Sequence, residues 1–384
     1  MEFYVYCFPV CGGSFPCLLG LLQNVSDARI KKTGKKGKRS YAPDLCLGSS
    51  GGRITELIGM SANWDSDLIQ FNASFLNSEM FVRRWVDKNL CIIPELVFAL
   101  ANKSLYDEGR GGYEYFERIF TSESILSTEV WIGTYNYEDK KTQFFCNKTK
   151  GDSYINHISF NSDQTLFSSK SLIFCDGDLE TIFNVSLASS SIPLIVPTKK
   201  IMENNYGDGG VMYASPLSVF YKEIARIING IDQHYNTNTN DIPCNDENEQ
   251  IILTSKSPEH KNLRMFYFMG QQDLDDINEN GIIVDTFISI IKASLIRDRN
   301  TSIELLELLS TSGISNETYL ELTMDELSDI IDYYSKYKHY VICLFPHGNP
   351  KISIADFTGK DVIDLMTYVR HNFGCHIWHS NDLV

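Results

Sequence analysis

Apolar residues along this chain follow two alternating rhythms. Residues 3–10 form a run rich in aromatic and β-branched side chains, which predicts a buried strand. A glycine loop follows, and residues 17–22 read as the start of a buried helix. Residues 41–47 read as a second strand. In 51–60, Ile54, Leu57 and Ile58 recur at helical spacing. Helical patterns return at 66–75, 79–87, 94–105 and 178–188. Two strands, 130–137 and 142–146, flank the polar turn Glu138-Asp139-Lys140-Lys141. Further on, 217–228, 282–297, 302–309, 324–337 and 359–373 predict helices. Residues 251–254, 264–269 and 340–345 predict strands. The stretch 234–250 is rich in Asn, Asp and Glu and reads as a solvated loop. Strands alternating with helices predict a layered α/β fold with a largely parallel sheet. There is no internal repeat and no linker that divides the chain. One domain over 1–384 is expected, its core elements in 1–230 and the rest completed by 231–384.

Composition narrows the class. The chain has 384 residues, 43% hydrophobic and 22% charged, as a folded globular protein has. Its formal net charge is −15, with 34 basic and 49 acidic residues, the opposite of the basic footprint that nucleic acid demands. Ten cysteines are scattered without a C-x-x-C pair. A chain this long needs no disulfide scaffold, so the thiols are expected reduced and the location cytoplasmic. Residues 3–26 carry no charge, as an export signal or a membrane span would. Glu2 is acidic where a signal starts positive, and Pro9, Gly12, Gly13 and Pro16 interrupt a helix. The stretch is expected to be buried core, with no transmembrane segment.

Three short segments carry candidate chemistry. Gly48-Ser49-Ser50-Gly51-Gly52 fits G-x-S-x-G, between a predicted strand and a predicted helix. On such a turn a serine hydroxyl is exposed as a nucleophile, and the Gly51 N–H, at the helix start, faces developing negative charge. Asp208 lies among Gly207, Gly209 and Gly210, which permit close backbone approach. It is the candidate base. Each segment read alone is also an ordinary turn. A carboxylate is a weak base for a hydroxyl, so such a pair requires strong oxyanion stabilisation. Gly12-Gly13-Ser14, between the first strand and first helix, forms a candidate anion nest. The G-x-G-x-x-G of a dinucleotide site is absent.

Taken in order, these segments resemble the patatin-like phospholipase family. Between them lies Ser186-Leu-Ala-Ser-Ser-Ser-Ile-Pro193, similar to that family's Ala-Ser-x-Ala-x-Pro segment. Asp208-Gly-Gly-Val is followed by Pro216, as in the family. The resemblance implies a three-layer α/β/α domain. It implies Ser50 as nucleophile, Asp208 as general base, and Gly12, Gly13, Ser14 and Gly51 around the oxyanion, with Gly48, Gly52, Gly209 and Gly210 shaping the motifs. The implied activity is phospholipase A-type hydrolysis of phospholipid acyl esters through an acyl-enzyme, with no cofactor or metal. The chain departs from the family at Cys11-Gly12-Gly13-Ser14-Phe15-Pro16, where one glycine and a basic residue are missing. Two alternatives stay open: a weakly active or inactive interaction protein on the same fold, and an esterase or thioesterase for soluble acyl compounds.

Lys31, Lys32, Lys35, Lys36, Lys38 and Arg39 form a cationic run on an acidic protein, expected to be a solvated loop or a peripheral contact with anionic headgroups. His371, Cys375, His376 and His379 cluster in sequence without a second ligand pair, and read as surface or core residues rather than a zinc site. His347 has the type of a triad histidine, which the two-residue reading does not require.

Overall fold

The computed structural model describes residues 2–33, 42–84, 106–153, 172–192, 196–211, 262–270, 315–348, 350–353, 356–380 and 383–384. The patterns at 94–105, 217–228, 234–250, 251–254, 282–297 and 302–309 lie outside the described residues.

β1 (Glu2–Phe8) lies inside a sheet of eleven strands among the described residues. It pairs in parallel with β2 (Leu45–Ser49) on one edge and β10 (Asn262–Phe268) on the other. The parallel region extends to β5 (Glu129–Asn136) beyond β2 and to β12 (Tyr340–Pro346) beyond β10. Outside it the pairing reverses. β13 (Phe373–His379) runs antiparallel to β12, and β11 (Ser315–Tyr319) antiparallel to β13. On the other side β6 (Lys141–Cys146) and β9 (Asn204–Asp208) run antiparallel to β5, and β8 (Lys199–Ile201) antiparallel to β9. β7 (Leu172–Phe174) returns parallel to β6. The sheet is therefore mixed, not largely parallel as the strand–helix alternation predicts. The local reason for β5 and β6 is their connection. A polar turn of four residues can join only antiparallel neighbours, since parallel ones need a long crossover.

Among the described residues the helices are α1 (Phe15–Thr33), α2 (Gly51–Ser61), α3 (Ser66–Ala73), α4 (Gly112–Ile119), α5 (Ser122–Ser127), α6 (Leu179–Ser189), α7 (Met324–Tyr334) and α8 (Gly359–His371). A short antiparallel pair, β3 (Val82–Arg84) with β4 (Tyr106–Glu108), stands apart from the main sheet. Side chains alternate faces along each strand. Tyr6, Phe8, Cys46, Val130 and Ile132 enter one hydrophobic cluster with Leu18, Leu22, Leu57 and Ile331 of the helices. Val5, Cys7, Leu45, Leu47 and Trp131 enter a second. Both faces of the sheet are thus buried, and among the described residues the helices pack against the first, as in a layered α/β fold.

The charge-free stretch resolves as β1 plus the buried α1, whose Phe15, Leu18, Leu19, Leu22 and Val25 are all within 1% of full burial. Each removes roughly 1.5–3 kcal/mol worth of apolar surface from water. No helix among the described residues is long and apolar enough to cross a membrane. Two boundaries differ from the sequence pattern. Residues 79–87 predict a helix, yet a 3-10 turn at Ser78–Met80 passes directly into β3. The last helix ends at His371, and β13 comes after it.

Candidate functional site

Ser50 sits where β2 turns into α2, with φ 53° and ψ −130°. A left-handed φ in a residue that has a Cβ costs on the order of 1–3 kcal/mol and must be held by its surroundings. The tight turn depends on absent side chains. A Cβ on Gly51 would lie 2.6 Å from the Gly12 carbonyl oxygen, and one on Gly52 would overlap the Phe8 and Pro9 backbone. The loop after β1 is thereby pressed against the first turn of α2. Gly12 itself has φ +51°, and Gly12–Ser14 forms a 3-10 turn leading into α1.

Asp208 reaches Ser50 across 158 residues, and the register of β5 explains how. β2 pairs along β5 as far as Ser49 opposite Gly133. β9 pairs antiparallel with β5 as far as Asp208 opposite Thr134. Because β6 fills the other edge of β5 over the same residues, β2 and β9 share one edge and meet end to end. A side chain on Gly209 would collide at this junction, 2.5 Å from both the Gly133 oxygen and Ser49 Oγ.

At the junction Ser50 Oγ donates to Asp208 Oδ2 at 2.7 Å. The Gly210 N–H donates to Asp208 Oδ1, also at 2.7 Å. Ser50 is 2% exposed and Asp208 3%. Burial pushes the Asp208 carboxyl up to about 6, against the pull of the Ser50 and Gly210 donors. Among the described residues no cation pairs with it. Beneath the turn, Arg53 and Glu56 form a buried ion pair one helical turn apart, and Arg53 Nε donates to Ser186 Oγ at 3.0 Å. Burial raises the Glu56 carboxyl and the Arg53 charge opposes that rise.

The amides beside Ser50 differ in availability. The Ser14 N–H donates to the Cys11 carbonyl at 3.0 Å, so it is occupied within its own loop. The Ser50 N–H is also taken, by Ser189 Oγ at 3.0 Å. For the N–H groups of Gly12, Gly13 and Gly51 no acceptor appears among the described residues. Gly48 of β2 faces Glu56, whose carboxylate a Cβ there would overlap.

The other candidates lie apart. Cys375 and His376 are adjacent on β13 and face opposite sides of the sheet, while His371 ends α8. His376 Nδ1 contacts Thr318 Oγ1 at 3.0 Å, and the His379 ring packs 4.1 Å from that of Tyr337. Among the described residues no group of three or more His, Cys, Asp or Glu is placed to hold a metal. His347, at the end of β12, packs its ring near Phe345. In the cationic run, Lys31 pairs with Asp325 of α7 at 2.8 Å. The side chains of Lys32, Lys35, Lys36, Lys38 and Arg39 lie outside the described residues. Cys7, Cys11, Cys17, Cys46, Cys146, Cys175, Cys343 and Cys375 are free thiols.

The hydrogen-bonding serines of α6 and its end, Ser186, Ser189, Ser190 and Ser191, are the site residues that motif reading alone leaves without a task. Their signal was the run of hydroxyls itself, ahead of Ile192.

No protein-family model matches the chain, and no curated protein matches it. Among solved structures it matches the one titled "Crystal structure of VipD from Legionella pneumophila", at 9% sequence identity and TM-score 0.28, covering 97% of this chain and 67% of that one. That likeness is distant, and the functional reading is carried by the geometry of the site.

Proposed function

We propose that this protein is a serine acyl hydrolase that cleaves lipid acyl esters, with phospholipids as the substrate class. The carrying observation is the 2.7 Å hydrogen bond from Ser50 Oγ to a buried Asp208 that has no cation beside it among the described residues. Its order in the chain, after a glycine loop and a G-x-S-x-G turn, is the order of the patatin-like resemblance.

Asp208 accepts the Ser50 proton as Oγ attacks the ester carbonyl carbon. The Gly12, Gly13 and Gly51 amides donate to the carbonyl oxygen as it becomes an oxyanion, and the start of α2 adds its dipole. The tetrahedral intermediate collapses, the C–O bond breaks, and the proton on Asp208 passes to the leaving alcohol. Water then attacks the acyl-enzyme. Asp208 takes its proton, the Ser50 ester bond breaks, and Ser50 recovers a proton as the fatty acid leaves. Burial assists this cycle. A carboxylate near 6 is a better base than an ordinary one, although still far below serine, which keeps the oxyanion donors decisive. The active protein acts in the cytoplasm as one domain over 1–384, and the basic run beginning at Lys31 gives it peripheral contact with anionic membranes.

The occupied Ser14 amide favours a second reading, an interaction protein on this fold with little turnover. A fluorophosphonate probe separates the two. Covalent labelling of the folded protein, absent in Ser50→Ala, supports the hydrolase. No labelling of folded wild type supports the interaction protein. A panel of phospholipid, lysophospholipid, triglyceride and short thioester or ester substrates then fixes the class.

A further inference from the structure

Three consecutive serines at the end of α6 hold both halves of the Ser50–Asp208 pair. Ser189 Oγ accepts the Ser50 N–H at 3.0 Å and donates to the Gly133 carbonyl at 2.6 Å. Its single proton and one lone pair are thus both used, in a residue that is wholly buried. Ser190 Oγ shares its proton between the Ser50 carbonyl at 3.1 Å and the Ser186 carbonyl at 3.2 Å. The Ser191 carbonyl accepts the Asp208 N–H at 3.0 Å. Gly133 is the residue of β5 where β2 ends, one position before β9 begins. Ser189 therefore bridges the junction itself, joining the backbone of Ser50 to β5, the strand against which β9 and its Asp208 pair.

The geometry points to Ser189, supported by Ser190, as a positioning residue for the nucleophile, a role that rests on the hydrolase reading above. The strained Ser50 backbone is held by hydroxyls on both its N–H and its C=O, so its side chain is fixed towards Asp208 instead of relaxing to an ordinary φ. The Ser50 N–H is also withdrawn from the oxyanion, which leaves that task to Gly51 and the Gly12-Gly13 loop. Small misplacement of a reacting group is costly, of the order of 10²-fold in rate for about 1 Å.

The test compares Ser189→Thr with Ser189→Val, two side chains of one shape, of which only the first keeps the hydroxyl. Fluorophosphonate labelling rate, kcat and KM, and the exchange of the Ser50 amide by NMR are read on each folded variant. Ser189→Thr is expected to label near the wild-type rate. Ser189→Val is expected to label about 10- to 100-fold more slowly, through kcat with KM unchanged. Its Ser50 amide is expected to exchange at least about 10-fold faster, while amides in the middle of α2 keep their protection. Equal labelling of the two variants, or a Ser50 amide equally protected in both, overturns the inference. If neither variant folds, Ser189→Ala and Ser190→Ala serve with the same readouts. Should wild type fail to label, the hydrolase reading falls by that result, and the clamp is then judged by amide exchange alone, in which an unchanged Ser50 amide overturns it.

Discussion

Two buried charges mark opposite ends of the parallel strands, and the structure treats them differently. Arg264, near the start of β10, is saturated. Its Nε donates to Glu2 Oε1 at 3.1 Å, and its Nη atoms donate to the carbonyls of Leu263, Ser335, Tyr337 and Lys338 at 2.9–3.3 Å. Its guanidinium also lies 4.7 Å from the Tyr340 ring centroid. Asp208, beyond the end of β2, has one hydroxyl and one amide donor and, among the described residues, no cation. A buried charge that is fully paired fixes a structure, because neither protonation nor movement gains anything. A buried charge that is under-supplied holds its proton more tightly than in water and can exchange it with a neighbour. The first ties the end of α7 to the sheet. The second stands ready for proton transfer.

The sharpest break in this contrast is expected at Asp208. Asp208→Asn keeps the shape and removes the base, and should lower the labelling rate about 10²- to 10⁴-fold. In the wild type that rate should rise with pH through about 6, as the carboxyl loses its proton. A flat profile between pH 5 and 8 would deny the aspartate this role.

Next in size is Arg264→Ala. Four carbonyls and Glu2 lose their donor, and the cost is expected at about 3–5 kcal/mol in denaturant titration. Arg264→Lys should recover only part of it, since one ammonium cannot serve the same spread of carbonyls. Labelling per folded molecule should be unaffected.

Asp208→Asn should then show the opposite sign in stability. The folded carboxyl titrates near 6 and the unfolded one near its ordinary 3.8, so the folded state binds its proton more tightly. That contribution is fully present below the unfolded value and is lost as pH rises through the folded one. Ionised Asp208 thus opposes folding at neutral pH by about 3 kcal/mol, and the amide removes the penalty. The variant should be more stable than wild type at pH 8 and equal to it at pH 3.5. Equal melting at both pH values would mean the carboxylate is better solvated than its burial implies.

The smallest effect lies at the N-terminus of α7, the helix whose other end Arg264 secures. Thr323 and Glu326 form a capping box there, with the Glu326 N–H donating to Thr323 Oγ1 at 3.3 Å. Thr323→Ala should cost about 1 kcal/mol, without changing labelling. A larger loss would show that α7 is held less by Arg264 than by its own cap.

Much of this was legible in the chain because it is local. The helices after Ser50, Asp65, Asp178, Thr323 and Thr358 begin where hydroxyls or carboxylates precede apolar residues at helical spacing. β1 and β12 read as apolar runs because both their faces are buried. β9 and β11 did not, since the sequences Asn-Asn-Tyr-Gly-Asp and Ser-Asn-Glu-Thr-Tyr have no apolar rhythm and gain their strand form from a neighbour's edge. Their antiparallel pairing adds to that of β6 and β13 in making the sheet mixed. Residues 79–87 misled for a related reason. A short periodic pattern is overridden when tertiary pairing offers its backbone a partner strand.

The pieces of the site were already written in the order of residues: a strand, a serine among glycines and a helix, and an aspartate among glycines. Those depend on contacts within a few residues, which composition and spacing record. Only in the folded chain do β2 and β9 meet on one edge of β5, which brings Ser50 and Asp208 to 2.7 Å. Folding also gave the serines of α6 their partners, engaged the Ser14 amide elsewhere, and raised the Asp208 carboxyl by burial. Register and desolvation arise from elements far apart in the chain, and no local pattern carries them.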